Sequence, residues 1–427
     1  MSNFFDNLLT GHLSRRDVMK ALAAVPAVGA AAAQTKAGRD KKQSRKKEGV
    51  IYSPDNIGGG GRVERNFYRE WIKTSKVPML EGYSIMNAKT QEVHPWPEIG
   101  GNGAYLNFSG NVHMDGVIME IPSGRALLQT RKFYEQLVVC LAGRGTTTIG
   151  NAPRQNKVEW GEGSLFSIPM NVMHQHRNGD SQHPARLLAI TTFPLALNLF
   201  GSRGLISDSN FSFSDRYDGS PDYFTKTERV EKRWDKTNFV KDIRSSEVVA
   251  WDERGAGNAS MFWEMGGNTV LEPHMSDFPV GSYKLGHRHP YEAIILTLNG
   301  RGFTLFGKDR LKGSDALHLE WEAGSIISPP YFWYHQHFNT GDTRARYFAV
   351  TEGDFPKRLG IPLEVDQIES NQEDPEIKRI FEAERRKKAA AHRRHHHHHE
   401  EAAAHHDHHH PHEQAADHHD HHHHEEA

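Results

Sequence analysis

The chain reads as all-β, with two tandem jelly-roll-like β-barrels and short helical segments before and between them. Two observations predict this. The first is an internal duplication: Glu135, Gly143, Gly145 and Gly150 recur as Glu292, Gly300, Gly302 and Gly307 at an offset of 157, and Glu159, Trp160, Gly163, Pro169, His174, His176 and Asn178 recur as Glu320, Trp321, Gly324, Pro330, His335, His337 and Asn339 at an offset of 161. The drift of four between the two blocks falls in a loop. The second is texture: each copy consists of apolar, β-branched runs of four to eight residues punctuated by Gly, Pro and Asn, the pattern of short strands joined by tight turns.

The duplication sets the organisation. One barrel is expected over 105–200 and a second over 248–354, with a connector over 201–247 between them. A leading segment, 51–104, carries an expected helix over 63–76, and the connector has a second helical candidate at 228–234. A C-terminal segment over 355–391 is rich in helix formers with mixed charge.

The ends read differently. Ser14, Arg15, Arg16, Asp17, Val18, Met19 and Lys20 precede an apolar run over 21–33 that finishes in small residues, an order resembling a twin-arginine export signal. At about 13 residues the run falls short of the roughly 20 that a membrane-spanning helix needs. The expectation is export by the twin-arginine machinery to the periplasm, with 1–33 as the signal and 34–50 as a basic linker. Folding before export also lets a site take its metal from the cytoplasmic pool, away from more competitive copper and zinc. Of 30 His, 18 lie between His392 and His424, so the excess belongs to a His-rich tail over 392–427. Such a tract binds metal by multiplicity.

Composition excludes several function classes. Lys and Arg total 52 against 54 Asp and Glu, a formal net charge of −2, so no global field favours nucleic acid or an anionic membrane. Cys140 is the only cysteine, which rules out an intrachain disulfide framework and a cysteine-based zinc cluster. The partners expected instead are a small molecule and other copies of this chain in a homo-oligomer.

The second copy carries the chemistry. His287 and His289 stand two apart at the entry to an apolar strand, so they face the same way, and His335 follows a hairpin later. Three imidazoles from two strands make a divalent-metal site with coordination positions left open. The first copy has Thr130 and Lys132 where His287 and His289 stand, and Gln136 where Ala293 stands. That barrel is expected to be metal-free and structural, with Lys132 either solvated or paired to a substrate anion.

These residues resemble the cupin family, whose first motif spaces Gly281, His287, His289 and Gly300 and whose second spaces Gly324, Pro330, His335 and Asn339. The family's usual glutamate position falls on Ala293. In that respect the run from His287 to Ala293, with Pro330 to Asn339, resembles the gentisate 1,2-dioxygenase branch of two-cupin proteins. The resemblance implies Fe(II) held by His287, His289 and His335, with His337 beside them as a catalytic acid/base. The implied reaction is ring cleavage by O2 of a phenolic acid whose hydroxyl and carboxylate chelate the iron. Glu292 sits one residue early and by alternation should face away. A local bulge bringing it onto the metal would instead make a three-His, one-Glu site, as in Mn(II)-type cupin decarboxylases. A third alternative is a non-enzymatic metal-binding protein working through its tail. For the substrate, Tyr283, Phe332, Trp333 and Tyr334 are expected to line the ring site, and Arg346 or Arg301 to pair with a carboxylate. His274 is expected to be structural.

Overall fold

The computed structural model describes residues 66–387. The expected export signal, basic linker and His-rich tail lie outside the described residues. Within them the expected fold class is found: four sheets make two barrels, each pairing a large sheet with a small one. An eight-stranded and a three-stranded sheet form the first barrel, and a nine-stranded and a five-stranded sheet the second.

The two copies repeat the same pairings. In the first, Ala185–Thr191 lies antiparallel between Asp115–Ile121 and Gln136–Ala142; in the second, Ala345–Thr351 lies between Glu272–Phe278 and Ala293–Asn299. The recurring glycines have a steric reason. Gly143 and Gly300 take positive φ, 85° and 87°, at the tight turns after Gln136–Ala142 and Ala293–Asn299. A Cβ there would meet Ala185 Cα at 2.9 Å and Ala345 Cα at 2.8 Å.

Both faces of the large sheets are buried, which explains why their strands read as unbroken apolar runs rather than alternating ones. Along Gln136–Ala142, Val138 and Cys140 point into the first barrel's core, while Leu137, Val139 and Leu141 point the other way. Those outward residues meet Met275, Ile294, Leu296, Phe348 and Val350 of the second barrel's large sheet, so the barrels pack back to back. Inside the second barrel, Phe278, Ile295, Phe306, Trp321 and Tyr347 form a separate core. The outer face of its small sheet, carrying Phe303, Leu305, Tyr334 and Phe338, is covered by Ile377 and Phe381 of the helical residues 375–387.

Each large sheet also borrows a strand. Ser84–Ile85, which precedes the first barrel, pairs with Ile326–Ile327 of the second, and Phe239–Val240 of the connector pairs with Leu165–Ile168 of the first. Helices occupy Phe67–Thr74, Phe193–Phe200 and Arg203–Asp208. The first falls within the expected 63–76, capped by Asn66 Oδ1 accepting from Arg69 N at 2.9 Å.

The helix expected at 228–234 is absent. Thr227–Glu231 and Trp234–Thr237 form an antiparallel hairpin. A seven-residue helix would carry the full nucleation cost with little return. As a hairpin the segment joins Thr227 to Thr237 through their hydroxyls at 2.9 Å and stacks Trp234 on Phe262 with ring centroids 4.8 Å apart. No helix among the described residues is long and apolar enough to cross a membrane.

Candidate metal centre

The second barrel gathers His287, His289 and His335. His287 lies directly opposite His335 across an antiparallel pair, and His289 lies two residues on from His287, on the same face. One ring-nitrogen donor from each falls within 4.8 Å of the other two, and all three side chains are buried.

Their chemistry fits a divalent cation. Each Nδ1 faces a backbone carbonyl: Leu285 O at 3.0 Å for His287, Tyr291 O at 2.9 Å for His289 and Trp333 O at 3.1 Å for His335. A carbonyl only accepts, so each Nδ1 carries the hydrogen and each Nε2 presents a bare lone pair. Burial first, then neighbouring imidazoles and the Arg254 cation, hold His287 and His289 well below the usual histidine range, and burial pushes His335 down to about 4. Three neutral imidazoles with fixed tautomers are the form a metal requires. Tyr291 stacks on His289 with centroids 3.8 Å apart and fixes its ring plane.

Glu292 is not part of this group. Its carboxylate leaves the barrel and accepts from Val112 N at 2.7 Å, from His113 N at 3.2 and 3.1 Å, and from Met114 N at 2.9 Å. Regular alternation holds and no bulge turns it inward, so the three-His, one-Glu alternative is corrected; buried Ala293 occupies the family's glutamate position. Glu292 lies instead with His113 and Glu352, His113 Nδ1 being 2.8 Å from Glu352 Oε1. Burial pulls His113 down, but the two carboxylates outweigh it and push it up to about 9. Backbone N–H groups already occupy both Glu292 oxygens, so this group is an ion pair at the contact between barrels.

His337 is buried behind the trio, 5.7 Å from His335 between centroids, with its Nδ1 2.8 Å from Thr304 Oγ1. Burial is the main cause holding it well below the usual histidine range. Of the substrate residues expected from sequence, Trp333 packs against the second barrel's inner core, but four others are elsewhere. Tyr283 lies on the outer face, its hydroxyl donating to Glu373 Oε1 at 2.9 Å and its ring packed on Phe381. Arg346 points to the outside of the large sheet. It donates to Asp277 Oδ2 at 3.2 and 3.1 Å and to the carbonyls of Arg244 and Ser246, which leaves its guanidinium no free face for a substrate. For Arg346 the correction follows from strand parity, since Tyr347, the next residue along Ala345–Thr351, is the one that faces inward. Phe332 and Tyr334 stack under the guanidinium of Arg288, also on the outside.

The cations that face the imidazoles are Arg254 and Lys284, neither of which the sequence reading singles out. Lys284 is buried, donates to Ser276 Oγ at 2.9 Å and sits 4.8 Å from the centre of the Tyr347 ring. Arg254 ends the short 3-10 helix Asp252–Arg254 and reaches Gln367 Oε1 at 3.2 Å. Lys284 stands three residues before His287, ahead of the strand His287–Arg288, so alternation counted from the ligands gives its direction no signal. His274 lies flat against Phe262 with centroids 5.0 Å apart and is not among the three donors.

A cavity of about 970 Å³ beneath the connector is lined by none of the three histidines. A smaller one, about 270 Å³, lies in the first barrel.

Two back-to-back β-barrels with a histidine trio inside one of them define a two-barrel, all-β architecture with a candidate divalent-metal site. Among solved structures the chain is similar to Bacillus subtilis oxalate decarboxylase, in a study of its Mn(II) centres (TM-score 0.44, 14% identity, covering 70% of this chain and 86% of that one). It is similar also to Lactobacillus farciminis oxalate decarboxylase in its formate complex (0.44, 13%, 63% and 86%) and to salicylate 1,2-dioxygenase from Pseudaminobacter salicylatoxidans (0.43, 13%, 61% and 76%). No family model matches the chain. No curated protein sequence matches it either.

Proposed function

We propose that this protein is an Fe(II)-dependent ring-cleaving dioxygenase acting on a phenolic or hydroxy-aromatic acid, exported to the periplasm. The observation that carries this reading is the ligand set: three neutral imidazoles with no carboxylate among them, since Glu292 is engaged by the backbone of 112–114. A facial trio leaves positions for a chelating substrate and O2 together.

His287, His289 and His335 would hold the ion, oriented by the carbonyls of Leu285, Tyr291 and Trp333. Ferrous iron supplies Lewis acidity and one-electron chemistry at the open positions when bound. Lys284 and Arg254 supply the positive charge that draws a substrate carboxylate toward the trio, the role expected from sequence for Arg346. Of the two ring nitrogens of His337, Nδ1 meets the Thr304 hydroxyl, and Nε2 is left to exchange a proton with a substrate hydroxyl. Export rests on Arg15, Arg16 and the apolar run that follows them.

Metal analysis of a protein truncated after residue 391 tests the reading, because the tail would otherwise dominate any count. The cut stays clear of Ile377 and Phe381, which cover the outer sheet. About one iron per chain, lost in His287→Ala/His289→Ala, with O2 consumed on adding a hydroxylated benzoate, supports it. Manganese with CO2 release and no O2 uptake would convert it to a decarboxylase, and no retained metal would remove the enzyme reading.

A further inference from the structure

The first barrel keeps the scaffold of the second but replaces its donors. Thr130 bridges to His174 as His287 pairs with His335, and Lys132 stands where His289 stands. Lys132 is half-buried and lines the cavity of about 270 Å³ together with Tyr134. The other walls are aromatic, Trp71, Trp96, Tyr105 and Phe193, closed over by the helices Phe67–Thr74 and Arg203–Asp208.

Three features of this cavity lack a partner inside the protein. The Lys132 ammonium forms no hydrogen bond or ion pair among the described residues, and neither does the Arg203 guanidinium, which lines the same space. Burial and the nearby Arg203 charge hold Lys132 below the usual lysine range, with Asp208 opposing. Tyr105 and Tyr134 are 7% and 8% exposed, and neither hydroxyl has a hydrogen-bond partner among the described residues. Glu98 is the one acid on the wall, against Lys76, Lys132 and Arg203. A partly desolvated ammonium and two unpaired hydroxyls facing the cavity are free to pair with a ligand there. At this volume, just under the roughly 300 Å³ where drug-sized sites begin, the space suits a single ring with one substituent.

We propose that the first barrel is a second ligand site, independent of the metal centre, that takes a small aromatic carboxylate: Lys132 and Arg203 pair with the carboxylate, Tyr105 and Tyr134 donate to it, and Trp71, Trp96 and Phe193 enclose the ring. The ammonium stands at the position that His289 holds in the second barrel.

The probe is benzoate, titrated into the full-length protein and followed by calorimetry and by quenching of tryptophan fluorescence, with benzyl alcohol as the neutral analogue. Saturable binding of benzoate is expected in the wild type and, undiminished, in His287→Ala/His289→Ala. Lys132→Met should weaken benzoate about tenfold while leaving benzyl alcohol within about twofold. Should Lys132→Met not fold, Arg203→Gln, at the exposed start of its helix, should still weaken benzoate about threefold. The proposal is overturned if the wild type takes no benzoate at millimolar concentration, if binding vanishes with the second-barrel histidines, or if neither cation variant changes it.

Discussion

The two barrels share a backbone plan and differ in what they place at its mouth. At equivalent positions one has His287, His289 and His335, and the other has Thr130, Lys132 and His174. The interior furniture behind those positions is kept: His176 Nδ1 meets Thr147 Oγ1 at 2.7 Å as His337 meets Thr304, and Asn178 and Asn339 each donate to a carbonyl, five residues on in the first barrel and four in the second, at 2.8 Å. The retained histidines of the first barrel therefore have a structural role that needs no metal. The lesson is that a histidine count says little, and what separates a ligand from a packed imidazole is whether a second and third bare nitrogen converge on the same point.

The contrast is broken most sharply by metal content. In protein truncated after 391, His287→Ala/His289→Ala should remove the tightly held ion altogether, while His174→Ala/His176→Ala should leave it, as read by elemental analysis after dialysis. Equal losses from the two variants would mean the barrels are not functionally distinct.

Next in size are the two carboxylates that bind across to the opposite barrel. Glu135 accepts from Thr269 N, Val270 N and Leu271 N at 2.6, 2.9 and 3.0 Å, as Glu292 does from residues 112–114, and Arg216 adds an ion pair at 3.1 Å. Truncating either to Ala strands three backbone N–H groups and should cost about 3 kcal/mol in denaturant unfolding. Glu292→Ala should cost less than Glu135→Ala, because burial already penalises the Glu292 carboxylate and pushes it up to about 7, and it should leave metal content unchanged.

A pH effect should follow from the first barrel's histidines. Burial pushes His174 down to about 4 and His176 to about 3, so the unfolded chain takes up their protons near pH 6.5 while the folded chain does not. Their contribution is complete above pH 6.5 and is lost as the pH falls toward 4, by up to about 1.4 kcal/mol per pH unit for each histidine. His176→Leu should flatten that slope relative to the wild type in unfolding measured between pH 6 and 4.

The smallest difference concerns two equivalent tryptophans. Trp160 Nε1 donates to Thr147 Oγ1 at 2.9 Å, whereas Trp321 Nε1 is buried without a protein partner among the described residues. Trp160→Phe should therefore destabilise by about 1 kcal/mol more than Trp321→Phe in the same unfolding assay.

Much of this is legible in the sequence because it rests on short-range rules. Strand parity puts His287 and His289 on one side and turns Glu292 away, and the spaced glycines mark turns that only positive φ can make. What escapes depends on partners far along the chain. Nothing near Glu292 announces that its donors are the amides of 112–114, and nothing near Arg346 announces Asp277 and the carbonyls of 244 and 246. Lys284 and Arg254 are hidden by a different cause: parity applies along strands, and these two sit on the loop and the short helix outside them. The hairpin at 227–237 is hard to read because a mixed-charge heptamer carries no period long enough to separate helix from strand.

The borrowed strands bear on how such a protein can change over generations. Because Ser84–Ile85 completes the second barrel and Phe239–Val240 completes the first, neither half of the gene encodes a sheet that is whole. A copy without the metal ligands could not be discarded together with its leading segment, since deleting both would unravel the edge of the copy still in use. Lineages carrying this arrangement are held to two barrels, and the silent one is free to acquire new business so long as its strands stay.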